Sequence, residues 1–234
     1  MTHAKVRFDM KTLPAERLMA ELSLWSADLT RLADEITRVD EYADIYHIDV
    51  SDGHFSPAFL FFPDVVAQIR QLTRKPLHVH LMVDDRILLE QIDQFAEAGA
   101  DIISVHAENQ QLDQALTRIE EYGCVPGLVL QLPTPVSAAE TWLPRVGILT
   151  LLGTLMGVKG QDLSEQACGR LHEARQLIGR CGAEHKILLA ADGAIRSHTV
   201  PALRESGADT VVMGSLAFNA SDYRETMLWS RALR

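Results

Sequence analysis

The sequence predicts an α/β fold, and within that class a (β/α)8 barrel, or TIM barrel, of eight parallel strands. Eight apolar, β-branched runs alternate with amphipathic runs of helical period along most of the chain. The length of 234 residues suits one barrel of compact size. A weak repeat is the third observation, because Asp44, Asp101 and Asp209 open strands at intervals of 57 and 108 residues. These intervals correspond to about two and four βα units of roughly 27–29 residues each.

Each of the eight strand candidates is a short run of mostly apolar residues. In chain order they cover residues 20–25, 45–50, 77–82, 102–106, 125–130, 146–151, 186–191 and 210–214. Helical periodicity fills the gaps, for example over residues 29–42 and 87–99, so a helix is expected after each strand. Because no Pro-, Gly- or Ser-rich linker divides the chain, we predict one catalytic barrel domain over residues 19–234, after an N-terminal extension over residues 1–18.

The repeat also predicts how some helices end. The segments EYADI (41–45), EAGADI (97–102) and ESGADT (205–210) each close a helix and open a strand. Gly99 and Gly207 stand where the C-terminal cap of a helix favours a left-handed residue. The alternative is that Gly-Ala-Asp is simply a common loop between a helix and a strand.

Charge and cysteine content exclude several partners and locations. The net charge of −10 and the pI of about 5.3 argue against a nucleic-acid backbone or an anionic membrane as partner. The three cysteines, Cys124, Cys168 and Cys181, follow no metal-binding or redox spacing, which suits a reducing compartment. The first residues contain no apolar signal region, and no run approaches the length of a membrane span. We therefore expect a cytoplasmic protein.

Polar side chains gather where the predicted strands end, which is where barrel active sites lie. His47 and Asp49 are two residues apart on the second strand and therefore share a face. His80 lies near the end of the third strand, and Asp192 follows the seventh, just before a glycine. His78 shares the face of His80 but lies one layer deeper, so we interpret it as a structural or supporting residue.

These four side chains predict a site for one divalent metal ion. Two imidazoles and two carboxylates suit Zn²⁺, Mn²⁺, Fe²⁺ or Co²⁺, and the sequence does not choose among them. For each histidine alone, the alternative is a hydrogen-bonded core residue. Asp49 and Asp192 lie on well-separated strands and would approach a substrate from different directions. Such an arrangement suits removal of a proton from one face of a carbon and its return to the other, with the metal stabilising an enediolate. Two opposed bases imply epimerisation.

Three glycine-bearing loops follow consecutive strands and predict a phosphate site. In barrels, the loops after the seventh and eighth strands commonly bind phosphate through free backbone N–H groups. The loop after the sixth strand adds a cation. The residues concerned are Gly157, Lys159 and Gly160 after the sixth strand, Gly193 after the seventh, and Gly214 and Ser215 after the eighth.

Several motifs resemble those of ribulose-phosphate 3-epimerases and related ketose-phosphate 3-epimerases. They are HIDVSDGHFSP, LHVHLMV, AGADIISVHAE, LLAADGAI and SGADTVVMGSLAF, together with SLWSADLTRLADEI near the start. The resemblance covers about residues 20–220, and the His-x-Asp pair combined with VHLM is highly specific. It implies a barrel of the ribulose-phosphate-binding type.

The resemblance also implies roles for individual residues. The metal ligands would be His47, Asp49, His80 and Asp192, and the two aspartates would also be the acid/base pair. Substrate contacts would come from the first strand, the VHLM motif and the phosphate loops. By resemblance they fall on Ser23, Met82, Gly157, Lys159, Gly160, Gly193, Ala194, Gly214 and Ser215.

The chain departs from the family pattern near the substrate. Ser51 stands where the family usually has a methionine, Ala58 replaces an asparagine, and Ala194 replaces the second glycine of a Gly-Gly pair. The loop over residues 153–161 contains LMGVKGQ in place of NPGFGGQ. These changes spare the predicted metal ligands and bases but alter the walls around the sugar and phosphate.

The leading interpretation is a metal-dependent epimerase that inverts C3 of a ketose phosphate through Asp49 and Asp192. Ribulose 5-phosphate and xylulose 5-phosphate are the default pair, and another ketose phosphate, such as allulose 6-phosphate, is an alternative. A lyase or decarboxylase is less well supported, because HLMVDD lacks the Asp-x-Lys-x-x-Asp pattern and Lys186 lies at the wrong end of its strand. A barrel that binds a sugar phosphate without turnover is the remaining alternative. The expected partners are a small phosphorylated sugar and further copies of the chain.

Overall fold

The computed structural model describes residues 8–14, 16–183 and 186–233, and it shows a closed parallel barrel surrounded by helices. The strands are β1 (Met19–Ser23), β2 (Ile45–Asp52), β3 (Phe59–Leu60), β4 (Leu77–Met82), β5 (Ile102–His106), β6 (Val125–Leu130), β7 (Ile148–Leu152), β8 (Leu188–Asp192) and β9 (Thr210–Met213). The helices are α1 (Leu32–Val39), α2 (Pro63–Leu72), α3 (Asp85–Ala98), α4 (Leu112–Glu121), α5 (Ala167–Arg180), α6 (Val200–Glu205), α7 (Ser215–Phe218) and α8 (Tyr223–Ala232).

The sheet closes on itself through strand pairing at both edges of β1. The order is β1-β9-β8-β7-β6-β5-β4-β2, and β1 also pairs in parallel with β2. All eight predicted strands are confirmed, and each begins within two residues of its predicted start. The ninth, β3, is a two-residue strand that pairs antiparallel with the end of β2 and folds the following loop back over it.

One connection differs from the predicted alternation. Between β6 and β7 the chain forms two short 3-10 helices, Val136–Ala139 and Leu143–Arg145, in place of an α-helix. This segment carries Pro133, Pro135 and Pro144, which lack backbone N–H groups and prevent a continuous helical ladder. None of the helices within the described ranges is long and apolar enough to cross a membrane.

The barrel interior is apolar at one end and polar towards the other. An apolar cluster fills the barrel interior at the amino-terminal end of the strands. Side chains of the segment before β1 pack against this cluster. The cluster consists of Met19, Ile45, Ile102, Ile148, Leu188 and Ala190, with Phe8, Met10 and Leu13 packed against it. Two residues further along their strands, the same face carries polar side chains, including Glu21, His47, Ser104 and Thr150. Because the apolar layer occupies one end, the polar groups lie towards the carboxyl ends, where the candidate site forms.

The aspartates of the sequence repeat share one set of contacts. Each accepts a backbone N–H from the start of the neighbouring strand and forms an ion pair with an arginine. Asp44 contacts Ala20 N (3.0 Å) and Arg17 (2.6 Å), Asp101 contacts Leu77 N (2.9 Å) and Arg70 (2.8 Å), and Asp209 contacts Leu189 N (2.9 Å) and Arg175 (2.6 Å). The repeat therefore has a structural cause beyond loop composition.

The two glycines of the repeat leave room for these arginines. Gly99 and Gly207 have φ values of 111° and 108°, which confirms the predicted left-handed caps. A Cβ atom on Gly99 would lie 2.9 Å from the side chain of Arg70, and one on Gly207 would lie 3.1 Å from that of Arg175. In each Gly-Ala-Asp segment the glycine thus leaves space for the arginine side chain, and the aspartate forms the ion pair with it.

Candidate active site

Four side chains from three strands converge at the carboxyl end of the barrel. His47 and Asp49 extend from β2, His80 from β4 and Asp192 from the last position of β8. One nitrogen or oxygen atom of each lies within 4.8 Å of the corresponding atom of every other. Asp49 Oδ1 is 3.2 Å from both His47 Nε2 and His80 Nδ1. The convergence follows from strand register, because β2 and β4 pair Asp49 with His80 and His47 with His78.

The donor atoms of this cluster fit a divalent metal ion. His47 Nε2 is buried and has no hydrogen-bond partner among the described residues, and its approach to Asp49 lacks hydrogen-bond geometry. A buried, unpaired imidazole nitrogen beside carboxylates is an unfavourable arrangement that a bound cation would relieve. Two histidine nitrogens and two carboxylates also match the ligand preferences of Zn²⁺, Mn²⁺, Fe²⁺ and Co²⁺. His47, Asp49, His80 and Asp192 are therefore the residues that would hold the ion.

The electrostatics of the cluster separate its two carboxyl groups. Burial opposes ionisation of Asp49, but the adjacent His47 outweighs it and holds the Asp49 pKa well below its ordinary value. Burial, with repulsion from Asp49 and Glu21, raises the pKa of Asp192 to about 7, although His47 opposes this shift. One carboxyl group is thus stabilised as the anion and the other as the acid, the pattern expected of an acid/base pair.

The histidines of the cluster also differ from one another. Burial disfavours the His47 imidazolium, yet Asp49 and Glu21 outweigh burial and raise the His47 pKa well above its ordinary value. Burial lowers the pKa of His80 to about 3. Beneath them, burial works against ionisation of Glu21, but His78 and His47 reverse this and hold the Glu21 pKa below its ordinary value. The site is therefore a mutually dependent set of charged and neutral groups.

A cavity of about 400 Å³ opens above the cluster and has room for a small phosphorylated sugar. Every residue predicted to contact substrate lines it. The predicted residues in its wall are Ser23, Asp49, His80, Met82, Gly157, Lys159, Gly160, Asp192, Gly193, Ala194, Gly214 and Ser215. His47 lies behind this wall, fully buried. The individual contacts with substrate stay predictions.

The first strand orients one carboxylate of the site. Ser23 Oγ donates a hydrogen bond of 2.9 Å to Asp49 Oδ2, while Asp49 Oδ1 faces the two histidines. The two oxygens of Asp49 are thus held in different directions. Met82 is buried next to this region and forms an apolar part of the cavity wall.

The glycine loops pack closely, as a backbone-lined anion site requires. A Cβ atom on Gly193 would lie 2.5 Å from Thr154 Oγ1, and one on Gly214 would lie 2.4 Å from Ser26 Oγ. Ala194, one of the departures, has φ of 54° and is the only described non-glycine residue with positive φ. Alanine here keeps a backbone conformation that glycine adopts more easily, at a cost in strain.

Lys159 connects the loop after β7 to the loop after β1. Its Nζ donates a 2.7 Å hydrogen bond to the carbonyl oxygen of Trp25 and lies 4.5 Å from the centroid of the Trp25 ring. Burial lowers the pKa of Lys159, and Asp49 opposes that effect. On the same side of the cavity, Arg196 donates to the carbonyl oxygen of Gln161 at 2.8 Å. Trp25, Gln161 and Arg196 were missed by the sequence analysis, although each adjoins a predicted site segment.

Two departures from the family pattern contact one another. Ser51 Oγ donates a hydrogen bond of 2.7 Å to the carbonyl oxygen of Ala58. Ser51 is buried and is absent from the residues that line the cavity. The serine therefore binds the loop after β2 to its own strand, and its hydroxyl is directed into that loop.

The fold and the site together define a class of protein: a (β/α)8 barrel enzyme with a histidine and aspartate cluster at its mouth and a cavity of sugar-phosphate size. The family model of the ribulose-phosphate 3-epimerase family matches residues 19–218, and the chain belongs to that family. It is 36% identical to ribulose-phosphate 3-epimerase of Synechocystis sp. over 91% of this chain and 93% of that protein. The corresponding figures for the Bacillus subtilis enzyme are 35%, 88% and 94%, and for the Escherichia coli K12 enzyme 33%, 88% and 91%.

Solved structures share the fold at much lower identity. A 3-hexulose-6-phosphate synthase from Salmonella typhimurium matches with a TM-score of 0.66 and 18% identity, over 92% of this chain and 98% of that one. Orotidine 5'-phosphate decarboxylase from Pyrococcus horikoshii OT3 matches with a TM-score of 0.64 and 14% identity, over 91% and 97%. At this identity the likeness shows the barrel fold alone.

Proposed function

We propose that this protein is an epimerase that inverts C3 of a ketose phosphate, by default interconverting ribulose 5-phosphate and xylulose 5-phosphate. The observation that carries the proposal is the convergence of Asp49 and Asp192 with His47 and His80 below a cavity of about 400 Å³. The similarity to ribulose-phosphate 3-epimerases of Synechocystis sp. and Bacillus subtilis supports the same reaction. An epimerase of another ketose phosphate, such as allulose 6-phosphate, fits the altered loop over residues 153–161 and is the second candidate.

The reaction requires a base on one face of the carbon and an acid on the other. Asp49, held as the anion, removes the C3 proton in one direction, and Asp192, whose raised pKa favours the acid form, delivers a proton to the opposite face. The roles exchange in the reverse direction. Ser23 holds the second oxygen of Asp49 and thereby orients the base. A divalent ion held by the four cluster residues would supply electrostatic stabilisation of the negative charge that develops on the substrate.

The phosphate would lie among the loops after β7, β8 and β9. Backbone N–H groups near Gly193, Gly214 and Ser215 would bind its oxygens, and Lys159 would add a positive charge. This local site explains how an acidic protein would bind an anionic substrate.

We further propose that the protein is a single barrel domain, that it assembles into a homo-oligomer and that it resides in the cytoplasm. Light scattering after size-exclusion chromatography tests the oligomer.

The test is proton exchange measured by NMR in D₂O, with metal-loaded protein and a panel of ketose 5- and 6-phosphates. We expect solvent deuterium at C3 of the preferred sugar, which identifies the carbon and the substrate together. Asp49→Asn and Asp192→Asn should each lower kcat/KM by about 10²- to 10⁴-fold, because each removes one acid/base group. Asp64→Asn, an exposed carboxylate on α2, is the matched control and should keep full activity.

Two results would reject the proposal. Full C3 exchange in both Asn variants would exclude these aspartates as the acid/base pair. Binding of a ketose phosphate without any exchange in the unmodified protein would identify a sugar-phosphate-binding barrel without turnover.

A further inference from the structure

We propose that Glu21 and Glu108 are positioning residues that hold His47 and His80 in opposite tautomers, so that each presents a lone pair to the metal site. The inference rests on the proposed function only in taking His47 and His80 as metal ligands. It assigns roles to two carboxylates that lie outside the predicted site, one beneath the cluster and one beside it.

The first series of hydrogen bonds begins at Glu21, which is fully buried in the barrel interior. Its Oε2 lies 3.1 Å from His47 Nδ1 and 2.7 Å from His78 Nδ1. A carboxylate oxygen only accepts, so both ring nitrogens donate. His78 Nε2 must then accept the bond from Ser104 Oγ, at 2.6 Å. A bound cation would displace the second ring proton of His47, and the lone pair is then left on Nε2, the nitrogen that lacks a hydrogen-bond partner and faces Asp49.

The second series of hydrogen bonds begins at Glu108, at the edge of the barrel mouth. Its Oε1 accepts from Gln131 N at 3.1 Å and from the Thr134 hydroxyl, while its Oε2 lies 3.2 Å from His106 Nδ1. His106 Nδ1 therefore donates, and Nε2 of the neutral ring is left as an acceptor.

The bond between the two histidines then settles the tautomer of His80. His80 Nε2 and His106 Nε2 are 2.8 Å apart in nearly stacked rings. Since His106 Nε2 accepts, His80 Nε2 must donate, and the lone pair of His80 is left on Nδ1. That atom is the one 3.2 Å from Asp49 Oδ1. The two ligand histidines thus use different ring nitrogens, Nε2 of His47 and Nδ1 of His80, and both lone pairs face the same carboxylate.

Such contacts have two consequences for a metal ligand. The hydrogen bond at the outer nitrogen selects which nitrogen is free to coordinate, and the carboxylate increases the basicity of that nitrogen. Partners of this kind typically change metal affinity by about 10- to 100-fold when they are removed. Glu21 contributes to His47 directly, whereas Glu108 contributes to His80 through His106.

The direct test uses full-length protein with ¹⁵N-labelled histidine, loaded with ¹¹³Cd²⁺ in place of the natural ion. We expect one-bond nitrogen–cadmium coupling at Nε2 of His47 and at Nδ1 of His80, with protons on the other nitrogen of each ring. Coupling at Nδ1 of His47 or at Nε2 of His80 would overturn the inference. This readout needs no variant and no substrate.

Variants test whether the carboxylates maintain that arrangement. Glu21→Gln and Glu108→Gln should each weaken Zn²⁺ binding by about 10- to 100-fold, because an amide lacks the charge and adds a donor without a partner. The matched control is Thr150→Val, because the Thr150 hydroxyl is buried in the same interior without a hydrogen-bond partner among the described side chains. Its Zn²⁺ affinity should stay within about twofold of the unmodified protein. Equal affinity in all three variants would overturn the positioning role.

These outcomes are distinct from those of the proposed function. A protein that exchanges C3 protons but binds cadmium through Nδ1 of His47 retains the function and loses this inference. A protein with the expected couplings but no exchange at C3 retains the inference and loses the function. Thermal unfolding of the metal-free variants separates weaker metal binding from loss of the fold.

Discussion

At the scale of single residues, the two carboxylates of the site differ in what surrounds them. Asp49 accepts a hydrogen bond from Ser23 and lies beside His47, and both contacts favour its anion. Asp192 is near further carboxylates and is stabilised as the acid. The same residue type is therefore suited to two tasks, because each carboxyl group has a different electrostatic environment.

Lys159 provides a test of substrate binding at this scale. Replacing it with methionine removes a cation from the cavity wall but keeps a flexible side chain of similar length. We expect KM for the ketose phosphate to rise about tenfold with kcat nearly unchanged, since the charge would contact the phosphate in ground and transition states alike. Steady-state kinetics measures both constants. Lys75→Met, at the opposite end of the barrel, is the control, and an unchanged KM in Lys159→Met would exclude the phosphate contact.

His47, Asp49, His80 and Asp192 could be predicted because side chains alternate along each strand and the carboxyl ends of the strands meet at one end of a barrel. Glu21, Trp25 and Arg196 could not be predicted in the same way. Glu21 contacts His78 across 57 residues of chain, and Lys159 contacts Trp25 across 134, so neither contact leaves a local pattern. The departure at Ser51 was visible in the sequence, but its contact with Ala58 depends on the fold of the intervening loop.

At the scale of secondary-structure elements, the repeated aspartates connect neighbouring strands at the amino-terminal end of the barrel. Each joins the start of one strand to the backbone of the adjacent one and is neutralised by an arginine that approaches from a helix or, for Asp44, from the segment before β1. Asp44 has two arginine partners, Arg17 at the shorter distance and Arg231 of α8. The strands are held in register at the end opposite the site.

Asp101→Asn tests this contribution. We expect the free energy of unfolding of the metal-free protein to fall by about 1–3 kcal/mol, because a partly buried charge-assisted pair and a backbone bond are both weakened. Urea denaturation measures the change. Asp34→Asn removes an exposed ion pair with Arg31 and should cost about 0.5 kcal/mol or less. A loss for Asp101→Asn no larger than this control would show that the repeat does not stabilise the fold.

Elements with long apolar runs could be predicted almost to the residue, whereas short or interrupted ones could not. β3 has two residues and forms because it pairs with the end of β2, so no periodic pattern in the sequence predicts it. The helical pattern expected before β7 gives way to 3-10 turns because prolines interrupt the backbone hydrogen bonds. Pairing partners and proline positions thus override local propensity at these two places.

At the scale of the whole molecule, the barrel brings together candidate metal ligands from β2, β4 and β8, which are far apart in an unfolded chain. Metal binding should therefore stabilise the folded state. With free Zn²⁺ or Mn²⁺ at a hundred times its Kd, we expect a gain of about 2.7 kcal/mol in the free energy of unfolding. Removal of the ion with a chelator should abolish C3 exchange, and re-addition should restore it.

Thermal denaturation with and without the ion measures this gain. For a chain of this size, each kcal/mol corresponds to a shift of about 2–4 °C in Tm. His80→Asn is the control, since it removes one ligand and should show a much smaller shift. An equal shift in that variant would place the ion elsewhere in the protein.

The contacts of Asp44 have a practical consequence for handling the enzyme. Arg17, just before β1, and Arg231, in the last helix, both bind this one carboxylate, at 2.6 and 3.3 Å. The segment just before β1 and the last helix therefore meet at the amino-terminal end of the barrel, on the side away from the cavity. A solid support attached at this end of the barrel should leave the route for the incoming sugar open, so the immobilised catalyst should keep its turnover.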